Sequence, residues 1–382
     1  MVAAVVGGVT ALFVVVRDIT HMGGLGAFAL AGQAFVDPDA TSDLPVYSAS
    51  NGYDGQFFYR LALDPLTRQT TAFHITLDNP PYRQQRIGLP AAAWLLHEVS
   101  RVPTSMALVL VNVFAVIVAG WVGAQWARRF GRSPLWGVAI GASPALIMAV
   151  ARDLSEPLAT AALLVGLLVW TRGGRLWAAS AAFTVAVLCR ETVLIVLLGM
   201  GMWCLGRFVR GGNRALRRTA AAQVAALCVP AAVEIAWQLY LQHVWGGRLP
   251  TFSGQGQLGT SLLRPLHGFF AGFDQIGLTH VGILAAVFLV ERVLLLALLI
   301  VVASGLLRSS APAELRLGWV LAAVLATSVE WNQDVQFVRA ANEAIIVGQL
   351  LLLARTDRIA RVATAGVLGW SALVAVIYAG SL

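Results

Sequence analysis

The chain has 382 residues, of which 58% are hydrophobic and only 12% are charged. This composition excludes an ordinary soluble domain and predicts an all-α polytopic membrane protein. The formal net charge of +8 is carried by 27 basic residues, all of them arginine. No nucleic-acid-binding motif accompanies this charge, so we interpret it as a determinant of membrane topology and expect no nucleic-acid partner.

The first apolar run, residues 1–16, is followed at once by Arg17 and Asp18. It lacks the basic residues that open a signal peptide. We therefore interpret it as the first membrane span, and treat cleavage at Ala29-Leu30-Ala31 as the less favoured alternative.

A polar segment, residues 17–103, comes next and is predicted to form the first extracytoplasmic loop. Within it, Leu25–Phe35 and Ile87–Val99 are apolar but too short to span, which predicts helices that lie in the membrane interface. Residues Asn51–Tyr59 read NGYDGQFFY. Their glycines permit a tight turn that would present Asp54, and the aromatic residues would anchor this turn at the membrane surface.

Ten further apolar runs bring the total to about eleven predicted spans in a single transmembrane domain covering residues 1–382. These runs are approximately 104–126, 134–151, 156–171, 175–189, 191–206, 219–242, 284–305, 317–329, 340–354 and 362–380. Residues 243–283, which are rich in glycine, are predicted to form a second large extracytoplasmic loop.

Arginines collect in alternate loops between these runs, which places all of those loops on the cytoplasmic side. The segment with Asp54 then lies on the extracytoplasmic face of a multi-pass protein of the cell membrane. Three short loops on that same face combine arginine with carboxylates. ARDLSEP carries Arg152, Asp153 and Glu156, CRETV carries Arg190 and Glu191, and EWNQDVQFVR ends at Arg339 with Glu343 one turn further on.

Charged side chains near hydrocarbon are costly unless they are paired or solvated, so these loops are candidates for a functional site. For any single loop, an ion pair that only fixes helix packing is the alternative. Arginine grips phosphate with a planar fork of donors, and a separate carboxylate can remove a proton from a hydroxyl. The combination suits transfer from a lipid-linked phosphate donor.

We therefore predict that Asp54 is the general base and that five arginines bind the donor phosphate: Arg83, Arg86, Arg152, Arg190 and Arg339. The supporting polar residues are Tyr53, Gln56, Tyr59, Asp64, Asp78, Asp153, Glu156, Glu191 and Glu343. For Arg83 and Arg86, snorkelling anchors of the second interfacial helix are an equal alternative. Asp64 could instead N-cap a helix, and Asp78 could stabilise a turn before Asn79-Pro80.

Metal ligands are not evident in the sequence. The six histidines are scattered, and the three cysteines lie in or beside apolar runs without CxxC spacing. We predict no histidine or cysteine metal site and no disulfide framework. A divalent cation, Mg²⁺ or Mn²⁺, held by carboxylates and the donor phosphate stays an open alternative.

Two stretches of the first loop, YDGQFFYRLALDP and QRIGLPAAAWLL, resemble the GT-C superfamily of integral-membrane glycosyltransferases. The resemblance covers mainly residues 51–100. It is nearest to actinobacterial GT-C-like proteins and more distant to the GPI mannosyltransferase 2 family. It implies inverting transfer of a sugar from a polyprenyl-phosphate donor at the outer face, with Asp54 as the base.

Two features depart from the family pattern. No soluble C-terminal domain is recognisable, so the resemblance implies that the acceptor binds within the membrane portion. Gln56 stands where some relatives have a second polar residue or a histidine. The acceptor class stays open between a glycolipid, a polysaccharide and a protein.

The favoured prediction is therefore a mannosyltransferase-like enzyme that uses a polyprenyl-phosphate sugar and contacts membrane lipid. A transporter or flippase of a lipid-linked or small anionic substrate is the alternative, with Glu234, Glu291 and Arg292 as its functional residues. The two halves of the sequence show no internal repeat, which favours the enzyme. An inactive scaffold of the same fold is a third interpretation.

Overall fold

A computed structural model describes residues 1–21, 24–38, 43–247, 249–250, 268, 283–328 and 336–380. Helices dominate these ranges, which confirms the all-α class. In chain order the helices are α1 (Val2–His21), α2 (Asp54–Leu63), α3 (Pro80–Gln84), α4 (Gly88–Ser100), α5 (Thr104–Arg129), α6 (Gly137–Gly141), α7 (Pro144–Val150), α8 (Glu156–Arg172), α9 (Leu176–Cys189), α10 (Val193–Arg210), α11 (Arg214–Trp245), α12 (Ile283–Ser304), α13 (Ala313–Ser328), α14 (Gln336–Ala340), α15 (Asn342–Leu353) and α16 (Arg358–Gly380).

Five of the described helices are long and apolar enough to cross a membrane. They cover Val2–Thr20, Thr104–Arg129, Val193–Arg210, Arg214–Trp245 and Arg358–Ala379. Their length and apolar character make this a membrane protein. The count of about eleven spans stays a prediction, and the second predicted loop, 243–283, falls almost wholly outside the described residues.

The predicted span over residues 134–151 is not one continuous helix. It is divided into a 3-10 helix at Pro134–Trp136, then α6, then α7. Ser143, which precedes α7, has φ −57° and ψ 141°, an extended conformation. The break arises at Pro144, because proline has no N–H to bond the preceding turn and disfavours a helical conformation for the residue before it.

Three local predictions in the first loop are corrected. The helix expected over Leu25–Phe35 is only a 3-10 helix at Leu25–Ala29, followed by a two-residue strand. The turn in NGYDGQFFY ends before Asp54, which is the first residue of α2. Asp64 does not N-cap a helix; it lies at the C-terminal end of α2, where the following Pro65 favours its observed extended conformation.

Four short strands organise the rest of this loop. Strand β1 (Ala31–Gly32) pairs in parallel with β2 (Val46–Tyr47), and β3 (Thr71–Ala72) pairs antiparallel with β4 (Ile75–Thr76). The expected helix at the end of the loop is present as α4.

A hydrophobic cluster joins the first loop to helix α5 and to the turn before α8. Phe58 of α2, Leu89 of α4, Leu108 of α5 and Leu154 in the turn before α8 all belong to this cluster and are buried. Helix α8 in turn packs against α5 and α9, and α11 packs against α9 and α10. This packing places the first turn of α2 beside the N-terminal end of α8.

Candidate active site

The position of Asp54 is fixed by the chain immediately around it. Gly52 has φ +64°, in the left-handed region that favours glycine. The buried side chain of Gln56 accepts a hydrogen bond from Gly32 N (3.0 Å) and donates one to Asn51 O (2.9 Å). Gln56 therefore holds the loop in place and does not belong to the charged site.

Gly55 allows α2 to approach the turn before α8. A Cβ atom at this position would overlap the backbone of Arg152 and of Ala29. Because both obstacles are main chain, neither could swing aside. The small residue next to Asp54 is therefore a requirement of close packing.

The carboxylate of Asp54 lies between two arginines. Its Oδ1 accepts a hydrogen bond of 2.6 Å from Arg83 Nη1, and its Oδ2 accepts one of 2.6 Å from Arg339 Nη1. The Asp54 side chain is 18% exposed and that of Arg83 14%, whereas Arg339 is buried. Burial alone would raise the pKa of Asp54, but Arg339 and Arg83, with a smaller contribution from Arg86, outweigh it and hold this pKa well below its usual range.

Each of the two arginines also binds a second carboxylate. Arg83 donates from Nε and Nη2 to Asp78 Oδ1 and Oδ2, both at 2.7 Å, and its guanidinium lies 4.4 Å from the centre of the Phe57 ring. Arg339 donates from Nε to Glu156. Asp78 also accepts a hydrogen bond from the N–H of Asn79, so it stabilises a turn and also orients Arg83.

Deeper in the protein, Glu156 connects this pair to a second buried arginine. Its Oε1 also accepts a hydrogen bond from Arg190 Nη1. Arg190 Nε donates to Glu343 (2.8 Å) and to the Thr192 hydroxyl (2.8 Å), and its Nη2 donates to the carbonyl oxygen of Arg339 (2.9 Å). The charges thus form a continuous network from the partly exposed Asp78 to the buried Glu343.

Arg86 and Glu191 form a separate buried ion pair. Arg86 donates from Nε and Nη2 to the two carboxylate oxygens, at 3.0 and 2.8 Å. Burial alone would lower the pKa of Arg86, but Glu191 outweighs it and the net shift is upward. Neither Arg83 nor Arg86 is a snorkelling anchor, because both make bidentate bonds to carboxylates.

Arg152 differs from the other four nominated arginines. In the part of the chain that the structure describes, no carboxylate pairs with it, and its Nε has no hydrogen-bond acceptor. Its guanidinium carbon lies 4.3 Å from the centre of the Tyr53 ring and 5.2 Å from that of Tyr378. Arg152 is therefore a cation held between the rings of Tyr53 and Tyr378, with its hydrogen-bonding capacity largely unused.

The remaining nominated residues lie outside the charged network. Tyr59 is buried in the hydrophobic cluster beneath the loop. Asp64 lies at the edge of an apolar groove. Asp153 is fully buried with φ +48°, and burial raises its pKa well above the usual range, although Asn112 and Arg17 act in the opposite direction.

The apolar groove has a volume of about 1050 Å³ and lies between α4, α11 and the residues that follow α2. Its lining includes Leu66, Ile87, Trp94, Leu188, Trp237 and Tyr240. Helix α11 is fixed against α3 by the indole of Trp237, which donates to the carbonyl oxygens of Gln84 (3.3 Å) and Gln85 (3.2 Å). Ile87 follows Arg86 directly, so one wall of the groove adjoins the charged site.

In this ligand-free arrangement the two partly exposed carboxylates of the site are engaged by arginine. Both oxygens of Asp54 and both of Asp78 already accept hydrogen bonds from arginine. Among the described residues, no three His, Cys, Asp or Glu side chains are grouped so that they could hold a metal ion. A divalent cation held by these carboxylates together with the donor phosphate stays an alternative for the donor-bound site.

The sequence did not reveal Thr192, Tyr378 or the groove. Thr192 lies within CRETV, where a single hydroxyl beside two charged residues carries no functional signal of its own. The groove had a weak signal in Trp237 and Tyr240, which are three residues apart and so share one face of α11. Tyr378 had no signal, because nothing in the sequence places α16 beside Arg152.

Comparisons with protein-family models, with curated proteins and with solved structures found no match for this chain.

Proposed function

We propose that this protein is a GT-C-type glycosyltransferase, mannosyltransferase-like, that moves a sugar from a polyprenyl-phosphate donor to an acceptor hydroxyl. The observation that carries the proposal is the position of Asp54. It is a partly exposed, ionised carboxylate within an arginine network. The ring of the preceding Tyr53 stacks with Arg152, which pairs with no carboxylate among the described residues, and the separate ion pair of Arg86 and Glu191 adjoins an apolar groove at Ile87. A phosphate ester of a long isoprenoid needs cationic and apolar surfaces of this kind side by side.

The reaction is an inverting displacement at the anomeric carbon of the sugar. The acceptor oxygen forms a bond to that carbon while the bond between the carbon and the phosphate oxygen breaks. The hydroxyl proton passes to Asp54, and the polyprenyl phosphate leaves with the bonding electrons and one additional negative charge. Arginine N–H groups that are fixed in place before the reaction stabilise this charge without reorganisation.

Arg152 is the first ligand for the donor phosphate, because its donors are not committed to a carboxylate. The isoprenoid chain lies in the groove between α4 and α11, where Trp94, Trp237 and Tyr240 offer apolar surface. The acceptor is a hydroxyl of a glycolipid, a polysaccharide or a protein. The site works at the extracytoplasmic face of a multi-pass protein with about eleven spans, as the positive-inside rule predicts for the loop that carries Asp54.

The test is transfer of radiolabelled sugar from a panel of polyprenyl-phosphate sugars into membranes with matched amounts of protein. We compare wild type with Asp54→Asn, and with Asp37→Asn as the control, since Asp37 is an exposed carboxylate of the same loop. Transfer lost only in Asp54→Asn supports the proposal. Undiminished transfer in Asp54→Asn rejects Asp54 as the base, and no transfer from any donor rejects the enzyme.

A transporter is the second candidate, and two buried acids favour it. Glu234 in α11 and Glu291 in α12 each have one carboxylate oxygen without a hydrogen-bond partner. Their other oxygens accept hydrogen bonds from Gln238 (2.7 Å) and from the Trp370 indole (3.4 Å). In proteoliposomes, translocation of a fluorescent polyprenyl phosphate that is lost in Glu234→Gln, with no sugar transfer, would establish this function instead.

A further inference from the structure

Asp54 is itself the anion held by the two arginines beside it. Its two oxygens take one hydrogen bond each, from Nη1 of Arg83 and from Nη1 of Arg339. A carboxylate held in this way is a poor base, because its lone pairs are engaged and its ionised form is strongly stabilised. The arrangement found here is therefore unsuited to accepting a proton.

We propose that Arg83 and Arg339 form a phosphate-binding site that Asp54 occupies in the absence of ligand, and that a bound phosphate displaces Asp54 and so frees it to act as the base. The proposal rests on the proposed function for the role of the freed carboxylate. The binding site itself rests on the geometry alone.

The two arginines keep their positions without Asp54. Arg83 is anchored by Asp78 through Nε and Nη2, and Arg339 by Glu156 through Nε. The main chain of Arg339 is also fixed, because its carbonyl oxygen accepts a hydrogen bond of 2.9 Å from Arg190. When Asp54 moves away, two Nη1 groups stay directed at the same point, ready for two oxygens of a phosphate.

An unused donor supplies independent evidence for a ligand. Arg339 is 4% exposed, yet its Nη2 has no hydrogen-bond partner among the described residues. Buried guanidinium N–H groups are normally satisfied, and one that is not calls for an explanation. The Tyr53 ring lies beside the same guanidinium, with its centre 5.9 Å from the Arg339 guanidinium carbon. A phosphate has more acceptor oxygens than a carboxylate and can satisfy Arg339 Nη2 as well as Nη1.

The position of Asp54 permits the exchange. It is the first residue of α2 and its side chain is 18% exposed, whereas Glu156 and Glu343 are buried. Two carboxylates, Asp54 and Glu156, bind Arg339. Of these two, only Asp54 can turn towards solvent without becoming an unpaired buried charge. The consequence is an ordered reaction, in which the donor must bind before the base becomes competent.

The test is ligand binding without sugar transfer. Purified protein in nanodiscs is titrated with farnesyl phosphate and, in a separate arm, with inorganic phosphate. We expect Asp54→Ala to bind farnesyl phosphate about tenfold or more tightly than wild type, because its own competitor is gone. Asp54→Asn, which keeps the size of the side chain, is the second variant and should also bind more tightly.

The controls separate displacement from a general change of charge. Asp37→Asn removes one exposed negative charge from the same loop and should leave affinity unchanged. The double variant Asp54→Ala/Arg83→Gln should lose the gain. Tighter binding of both probes shows that the phosphate group is sufficient, and tighter binding of farnesyl phosphate alone assigns the site to a lipid phosphate.

Unchanged or weaker binding of both probes by folded Asp54→Ala and Asp54→Asn overturns the proposal. The outcome is independent of the proposed function. Tighter binding by a protein that transfers no sugar would keep the anion site and reject the transferase. Sugar transfer with unchanged phosphate binding would keep the transferase and reject the displacement.

Discussion

Asp54 and Arg339 are 285 residues apart in the sequence, yet Arg339 Nη1 donates a hydrogen bond of 2.6 Å to Asp54 Oδ2. The same arginine binds Glu156 at the beginning of α8. One guanidinium therefore joins the first loop, α8 and α14. The same few contacts therefore support both the stability of the site and its chemistry. Variants that remove one contact at a time can be compared by melting temperature and by sugar transfer.

Glu156 should be the carboxylate whose loss most destabilises the fold. It is fully buried and accepts hydrogen bonds from both Arg190 and Arg339. Breaking a buried ion pair leaves charge unpaired, so Glu156→Gln should cost about 3 kcal/mol of stability. Glu98→Gln is the matched control, because Glu98 forms an exposed pair with Arg101 that contributes less than about 1 kcal/mol. Similar melting temperatures of the two variants in detergent would contradict this account.

The contribution of Asp54 to stability should persist to low pH. Arginines hold its folded-state pKa below the usual value of about 4, so its ion pairs stabilise the fold fully above that pH and lose their effect only below it. The difference in melting temperature between wild type and Asp54→Asn should be constant from about pH 8 to about pH 5 and should narrow in stronger acid. A difference that already narrows near pH 6 would mean that the arginines do not control this carboxylate.

Gly55→Ala should impair activity through packing. The added methyl group would collide with the main chain of Arg152 and Ala29, which displaces the first turn of α2 and costs about 1 to 3 kcal/mol. Gly8→Ala is the control, since a Cβ at Gly8 in α1 meets open space. We expect a lower melting temperature and reduced sugar transfer for Gly55→Ala, and no loss of either for Gly8→Ala, because alanine in a helix is at least as stabilising as glycine. Full activity of Gly55→Ala would show that this contact is not required.

Arg152→Gln should separate binding from stability. Arg152 has no carboxylate partner among the described residues, so its replacement leaves no acid unpaired. A hydrogen bond to a charged group is worth about 1.5 to 3 kcal/mol, so KM for the donor should rise by about 10- to 100-fold. Circular dichroism melting should be close to wild type. An unchanged KM would remove Arg152 from the donor site.

Filling the groove should weaken donors with long chains selectively. Ala236→Trp places a large ring among Trp94, Trp237 and Tyr240. Ile235→Trp is the control, because Ile235 is 58% exposed on another face of α11. We expect Ala236→Trp to reduce sugar transfer from a long polyprenyl donor more than from a short one. Ile235→Trp should transfer sugar from both donors at the wild-type rate. Equal loss for both chain lengths would place the isoprenoid elsewhere.

The residue types of the site could be predicted from the sequence, but their pairing could not. Charges near hydrocarbon are costly, which singled out Arg190, Glu156 and Glu343 as residues that need partners. Which carboxylate meets which arginine depends on helix packing. Arg190 and Glu343 are 153 residues apart, and no local pattern connects them.

Some of the local conformation was also predictable from the sequence, and some was not. Helix α4 was predictable because it is an apolar run, Ile87–Val99, with charged residues at both ends. The division of residues 134–151 and the end of α2 at Asp64 both arise next to a proline, so the signal was present but was outweighed by apolar composition. The groove required knowledge of which faces of α4 and α11 meet.

The most direct test of the central claim is sugar transfer by purified protein in liposomes, measured in a single turnover with a radiolabelled polyprenyl-phosphate sugar. We predict transfer by the wild type and by Asp37→Asn, and loss of about 100-fold or more in Asp54→Asn, since a general base contributes about 10²- to 10⁴-fold. Equal rates in wild type and Asp54→Asn, with both proteins folded, would contradict the assignment of catalysis to Asp54.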